Sequence, residues 1–419
     1  CKQVDEFNYC AMEMGYAEGS SWHAYEAKDW VYLGGRHDRA EERRLEMEEE
    51  VEKKVEGKTG VLRNMQKDTE ELEEEFMSAA HKAENLFEEE HVDEHFSAKD
   101  YSFEMGFGCQ YKITGLFKTQ LADGIMGMEN SSRSFWHQMY SAGMMSAKAF
   151  ALCFTYADKI SREGTDAGAV TLGGANEDMH TSPMVYADNI DLGGWYGVRI
   201  NAVYLRYDKG GNGTVDTRRR MDEEGENSTN STDEEDKDSQ DGDEEATEES
   251  PTIVKLNIDL DRANSKGIIV DSGTTESYFP THMNFPFQEA FKTLMGFDFK
   301  SQVLGSSGVN PETDYPTILL QLRAAPNVED DGLMDENGVP LAGLAGEIDL
   351  DNPNDVILEI PPKNYMKWSK NSKSYTNRVH MTELSTYGVI GANAMFGHDI
   401  LFDVDNKRVG FAKSDCVFD

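Results

Sequence analysis

The sequence predicts a mostly β protein interrupted by two long insertions of different character. Three observations carry this. Short β-prone runs punctuated by glycine recur over residues 1–35, 101–207 and 252–419. Residues 38–92 switch to Glu, Lys, Arg, Ala and Leu. Residues 209–250 are Gly, Asn, Ser, Asp and Glu with almost nothing apolar. Many short strands between turns point to a sheet-rich fold.

In chain order, "WVYLGG" at 30–35 is β-prone and ends in glycines. Within 38–92, Gly57 and Gly60 divide the block into two helical stretches. In the second, Leu62, Thr69, Phe76 and Ala83 recur every seventh position, and Met65, Leu72, Ala79 and Leu86 form the matching series. That is an a/d seam. It predicts an acidic helical hairpin over 36–98 that packs on itself; the alternative is a docking arm for a partner at 38–92. "AVTLGG", "WYGVRI" and "AVYLRY" restore the strand texture up to Tyr207. The acidic tract 209–250 cannot bury enough apolar surface to fold and is expected to be disordered. "TIVKLNIDL" at 252–260 alternates, with Val254, Leu256, Ile258 and Leu260 as the apolar side. One helix is expected near 285–295. Both odd blocks read as insertions into surface loops, where added length carries a modest entropic cost.

Composition excludes several functions. The chain has 419 residues, 38% of them hydrophobic, and a formal net charge of -39. Residues 36–97 contribute -11 of this and residues 215–250 contribute -12. Such a balance repels nucleic acid and anionic membranes, and no basic patch offsets it. There is no apolar run long enough to span a bilayer. The five cysteines, Cys1, Cys10, Cys109, Cys153 and Cys416, show no CxxC spacing. That argues against a zinc site, and no metal is expected. Asn130, Asn212, Asn227 and Asn230 each open an N-glycosylation sequon. Cysteines and sequons together point to the secretory pathway. The chain begins at Cys1 with no signal-like segment, so the natural start is expected upstream, together with a partner for the odd cysteine.

One segment carries chemistry. In "GIIVDSGTTESYFP" (267–280), Ile268, Ile269 and Val270 form an apolar strand that delivers Asp271 to a turn. Ser272 and Gly273 permit a sharp change of direction, and Thr274 and Thr275 offer hydroxyls to hold the carboxylate. This suits a fixed, hydrogen-bonded acid. An Asp-Ser-Gly triplet alone reads as a β-turn; the whole run is far more specific.

That run resembles the second active-site segment of the pepsin-like aspartic endopeptidases (peptidase family A1). Four further stretches agree in kind and order. "GYAEGSSWHAYEAKDWVYLGG" (15–35) resembles the flap hairpin, with Tyr16 as the flap tyrosine and Gly19 in its turn. "LADGIMGM" (121–128) resembles the hydrophobic-hydrophobic-Gly element of the N-terminal lobe. "AVTLGGANEDM" with "GGWYGVRINAVYL" resembles the passage between lobes. "YGVIGANAMFGHDILFDVDNKRVGFAKSDC" (387–416) resembles the close of the C-terminal lobe, with Val389, Ile390 and Gly391 repeating the hydrophobic-hydrophobic-Gly element.

The resemblance implies a bilobed acid-protease fold: the flap in 1–35, the remaining N-terminal lobe and interlobe passage in 99–195, and the C-terminal lobe in 196–419. It implies peptide hydrolysis by water activated between two aspartates, one of them Asp271, without cofactor or metal, on protein or peptide substrates, by a monomer. Ser272, Gly273 and Thr274 would support the carboxylate, and Thr275 would contact substrate. Tyr16, Gly19 and Ser20 would close over it. Trp22 and Trp30 read as core or hairpin packing rather than substrate contacts. Cys153 and Cys416 match positions bridged in cysteine-containing branches, which implies a disulfide between them. Pairing among Cys1, Cys10 and Cys109 stays open.

The sequence departs from the family in one respect. No Asp-Thr-Gly or Asp-Ser-Gly precedes Asp271. Asp5 in "VDEF" lacks the turn, and Asp123 belongs to "LADGIMGM". The first catalytic aspartate is therefore expected outside these residues, and residues 1–419 alone are expected to be inactive. The implied compartment is secreted, vacuolar or lysosomal, or membrane-anchored by a segment outside the chain. The alternatives are a non-catalytic binding or inhibitor protein on the same fold and a scaffold organised by 38–92.

Overall fold

A computed structural model describes residues 2–4, 9–16, 19–33, 102–119, 124–156, 168–207, 252–326, 341–346, 348–384 and 386–416. The described chain is mostly β, arranged in five sheets, with short helices between strands. The expected helical hairpin at 36–98 and the acidic tract at 209–250 lie outside the described residues.

The chain divides into two compact units, residues 1–127 with 132–146, and residues 128–131 with 147–419. With strands numbered in chain order, the first unit is an antiparallel sheet of Lys2–Val4 (β1), Tyr9–Gly15 (β2), Ser21–Val31 (β3) and Phe103–Ile113 (β4). The β2–β3 turn closes through Tyr16 N–H to Ser20 O (2.8 Å) and Gly19 N–H to Tyr16 O (3.0 Å). Gly19 sits at φ 91°, a conformation open to glycine. The helix Phe135–Ser141 packs on β4 with Phe135 and Trp136 buried. Its Gln138 side chain both donates to Gly106 O and accepts from Gly106 N–H.

The second unit holds four sheets. Gly168–Leu172 (β6), Ala149–Phe154 (β5), His398–Asp403 (β21), Arg408–Lys413 (β22) and Val185–Asp188 (β7) lie in that order in an antiparallel five-stranded sheet. Its central strands β5 and β21 are almost wholly buried, and β21 carries His398, Asp399 and Asp403 among its buried residues. Phe150 stacks on Phe402 at 4.8 Å. A second sheet orders Thr252–Lys255 (β11), Ile200–Tyr207 (β10), Thr317–Leu322 (β15) and Val356–Ile360 (β16). A small sheet orders Gln302–Leu304 (β14), Ser374–Asn377 (β18) and Met366–Ser369 (β17). The fourth, six-stranded, runs Val379–Leu384 (β19), Ser277–Pro280 (β13), Gly388–Ile390 (β20), Ile268–Val270 (β12), Tyr196–Val198 (β9) and Ile190–Asp191 (β8).

Two local expectations compare closely with the structure. The helix expected near 285–295 forms as Asn284–Met295. It buries Phe287, Ala290 and Phe291 and stops at Gly296 in the left-handed region. The strand expected over 252–260 is shorter. It ends at Lys255, and Asp259 instead caps the helix Leu260–Ala263, its carboxylate accepting from Arg262 N–H at 3.1 Å. An Asp ahead of an apolar residue serves as an N-cap, and here capping outweighs the alternation. Leu256 is still the most buried of the predicted apolar face.

Candidate active site

Asp271 is placed by two strands far apart in sequence. β12 is three apolar residues, and it pairs in parallel with β20: Ile268 with Gly388, Ile269 with Val389 and Val270 with Ile390. A parallel pair needs a long crossover, here the whole stretch between the two motifs. Asp271 N–H continues the ladder by donating to Ile390 O at 3.0 Å. The chain then turns, with Thr274 N–H reaching Asp271 O at 3.3 Å.

The loop holds its own carboxylate. Gly273 N–H donates to Asp271 Oδ1 at 2.9 Å, and Thr274 Oγ1–H donates to Oδ2 at 2.6 Å. A Cβ at position 273 would stand 3.1 Å from Oδ1, so glycine permits this approach. Each carboxylate oxygen keeps lone-pair capacity for a further partner. Such an acid is oriented yet free to exchange a proton with a bound water.

The loop is in turn tied to the segment after β20. Ala392 N–H donates to Thr274 O (2.7 Å) and Asn393 N–H to Thr275 O (3.1 Å). A Cβ on Gly391 would lie 2.3 Å from Glu276 O and 2.7 Å from Thr274 O, so only glycine fits between them. Beneath, the buried Ser277 hydroxyl donates to Asn393 Oδ1 (2.7 Å) and accepts from Gly391 N–H (3.0 Å). Asn393 Nδ2 donates to the carbonyls of Asn364 (3.2 Å) and Arg378 (3.1 Å). At the far end of the loop, Glu276 accepts from both the Arg378 guanidinium and the His380 imidazole. Burial would raise the Glu276 carboxyl, but hydrogen bonds from His380 and Arg378, with their charges, outweigh it and hold it below the usual range.

Among the expected site residues, Asp271, Gly273 and Thr274 thus form one bonded group. The Ser272 side chain makes no hydrogen bond among the described residues. Thr275 is exposed and contributes its carbonyl. Sequence reasoning did not single out Glu276, Ser277, Arg378, His380 or Asn393; their partnership appears only through strand pairing across about a hundred residues of sequence.

Tyr16, Gly19 and Ser20 belong to the first unit. Tyr16 is exposed, accepts from Trp22 Nε1–H at 3.2 Å, and sets its ring edge-on to Phe117 at 5.2 Å. The Ser20 hydroxyl points inward and accepts from Leu116 N–H at 2.9 Å. Ile125 and Met126 of "LADGIMGM" are exposed and outside any strand, whereas Val389 and Ile390 are buried in β20. The difference lies in pairing: β20 is flanked by β12 and β13.

Cys153 and Cys416 form a disulfide, Cα atoms 5.3 Å apart, packed with Met179. Cys10 is also disulfide-bonded, and Cys109 is free and exposed. Asn130 is exposed; Asn212, Asn227 and Asn230 lie outside the described residues. Among the described residues, no group of three or more His, Cys, Asp or Glu is placed to hold a metal ion, and no helix is long and apolar enough to cross a membrane. No family model matches the chain, and no curated protein matches it significantly.

Proposed function

We propose that this chain is part of a pepsin-like aspartic endopeptidase of bilobed fold in which Asp271 is one of two catalytic aspartates. The observation that carries the reading is the Asp271 loop. A short apolar strand ends in a carboxylate held by its own Gly273 N–H and Thr274 hydroxyl, and a second apolar-apolar-Gly strand pairs alongside. Nothing about an ordinary β-turn requires a carboxylate oriented on both oxygens.

In the reaction proposed, two close carboxylates share one proton, because both cannot ionise together. The pair titrates as a unit. One carboxylate takes a proton from a bound water as that water attacks the peptide carbonyl carbon. The other donates its proton to the carbonyl oxygen, and the tetrahedral intermediate collapses with proton transfer to the leaving nitrogen. Thr274 and Gly273 keep the Asp271 lone pairs aimed, and Tyr16 serves on the flap. Substrates are proteins or peptides. The Cys153–Cys416 disulfide and the exposed sequon at Asn130 favour the secretory pathway.

The test is hydrolysis of an unbiased peptide pool by the full-length natural product, with and without pepstatin, across a pH series. Pepstatin-sensitive cleavage supports the reading. Absence of cleavage, or cleavage indifferent to pepstatin, contradicts it.

A further inference from the structure

We propose that Glu276 is a positioning residue for Asp271, its carboxylate clamped by Arg378 and His380 so that the far end of the Asp271 loop is fixed to strand β19. The consequence for catalysis rests on the peptidase reading above; the ordering of the loop does not.

The geometry begins with register. β13 and β19 are parallel, with Ser277 opposite Val379 and Tyr278 opposite His380. Glu276 and Arg378 stand one residue before this pairing on each strand. By strand alternation, Glu276, Tyr278, Arg378 and His380 share one face. The Tyr278 and His380 rings stack at 4.9 Å, which aligns the imidazole with Glu276. The side chains are 19% (Glu276), 33% (Arg378) and 24% (His380) exposed, so this is a partly buried cluster rather than a solvated pair. Glu276 is also the residue whose carbonyl faces Gly391, so a shift in its side chain moves the backbone that frames the site.

Among the described residues, β19 lies at the edge of its sheet and pairs only with β13 there, with an irregularity between Tyr278 and Pro280. Next to the loop this edge is held by Ser277 N–H to Arg378 O (3.1 Å), Arg378 N–H to Tyr365 O (2.7 Å) and Asn393 Nδ2 to Arg378 O (3.1 Å). The Glu276 clamp adds the tie made by the loop's own acidic side chain.

The clamp has two arms. The Glu276 carboxylate only accepts, so His380 donates to it through Nε2–H, beside the Arg378 guanidinium. The other charged group near the cluster is Glu383, 3.6 Å from His380 Nδ1, and no charged side chain comes from β20 or the helix Ala392–Met395.

Hydrogen exchange on the full chain tests this without requiring catalysis. The reporters are the amides of Gly273, Ala392 and Asn393, and the reference is the β5–β21 segment. E276Q should lower protection at the reporters by about tenfold, the scale of one lost charge-assisted bond, with the reference unchanged. H380K, which keeps a cationic donor there, should hold most of the protection that E276Q loses. Three results would overturn the proposal: reporters unchanged in E276Q, an equal fall at reporters and reference in E276Q, or a fall in H380K as large as that in E276Q. The peptidase assay above separates the two readings. Loss of activity evidence leaves the exchange result standing, and a failed exchange result with peptidase activity intact removes only the role of Glu276.

Discussion

The Thr274 hydroxyl donates to Asp271 Oδ2 over 2.6 Å, the shortest of the bonds that orient the Asp271 carboxylate. A hydrogen bond to a charged acceptor contributes about 1.5–3 kcal/mol, which corresponds to roughly 10- to 100-fold in rate. Thr274→Ala should lower kcat/KM of the full-length protein by that factor, while Thr274→Ser retains most activity. Steady-state kinetics on both variants, with thermal melts as a folding check, decide it.

Gly391 stands where the Thr274 and Glu276 carbonyls close on it. Both obstacles are backbone and cannot rotate away. Gly391→Ala should destabilise the second unit by about 1–3 kcal/mol or more, the usual scale of overpacking. Urea unfolding followed by tryptophan fluorescence would show it as a lowered midpoint.

His398 gives a stability prediction with a definite sign. Burial pushes its imidazole down to about 4, with the Lys413 charge adding and the Glu359 charge opposing. Its Nδ1 is buried without a partner. The unfolded chain therefore binds more protons between the folded value and 6.5, and stability falls as pH drops through that window. The contribution is about 3 kcal/mol. Asp399 works the other way, because burial raises it although His180 at 2.8 Å lowers it. Comparing unfolding free energies of wild type and His398→Gln at both ends of the window isolates the histidine. The wild type should lose about 3 kcal/mol more than the variant.

The Cys153–Cys416 bridge closes a separation of 263 residues. Non-reducing peptide mapping should recover the two peptides linked. Cys153→Ser with Cys416→Ser should cost about 2–5 kcal/mol in unfolding free energy. Free thiols at both positions in the untreated protein would refute the pairing.

The parts of this structure legible in the sequence are those with local signals. "GIIVDSGTT" announces a buried strand ending at Asp271, and the stretch 285–295 reads as a helix. The end of β11 was less legible, because Asp259 serves equally as an alternating polar residue and as a helix cap. The bracing of the site was not legible. Nothing near Glu276 points to Arg378 or His380, and nothing near Ser277 points to Asn393. These contacts follow from parallel pairing of β12 with β20 and of β13 with β19, and such register has no short-range signature.

The most direct measurement compares Asp271→Asn with wild type in the full-length natural protein, assaying pepstatin-sensitive peptide hydrolysis alongside thermal stability. Asn preserves shape and keeps one acceptor, Oδ1 for Gly273 N–H, while its Nδ2 must donate to the Thr274 hydroxyl, and it cannot exchange the proton. Loss of hydrolysis by about a thousandfold or more with the melting temperature nearly unchanged is the predicted result. Hydrolysis that survives the substitution would contradict the assignment of Asp271 as a catalytic aspartate.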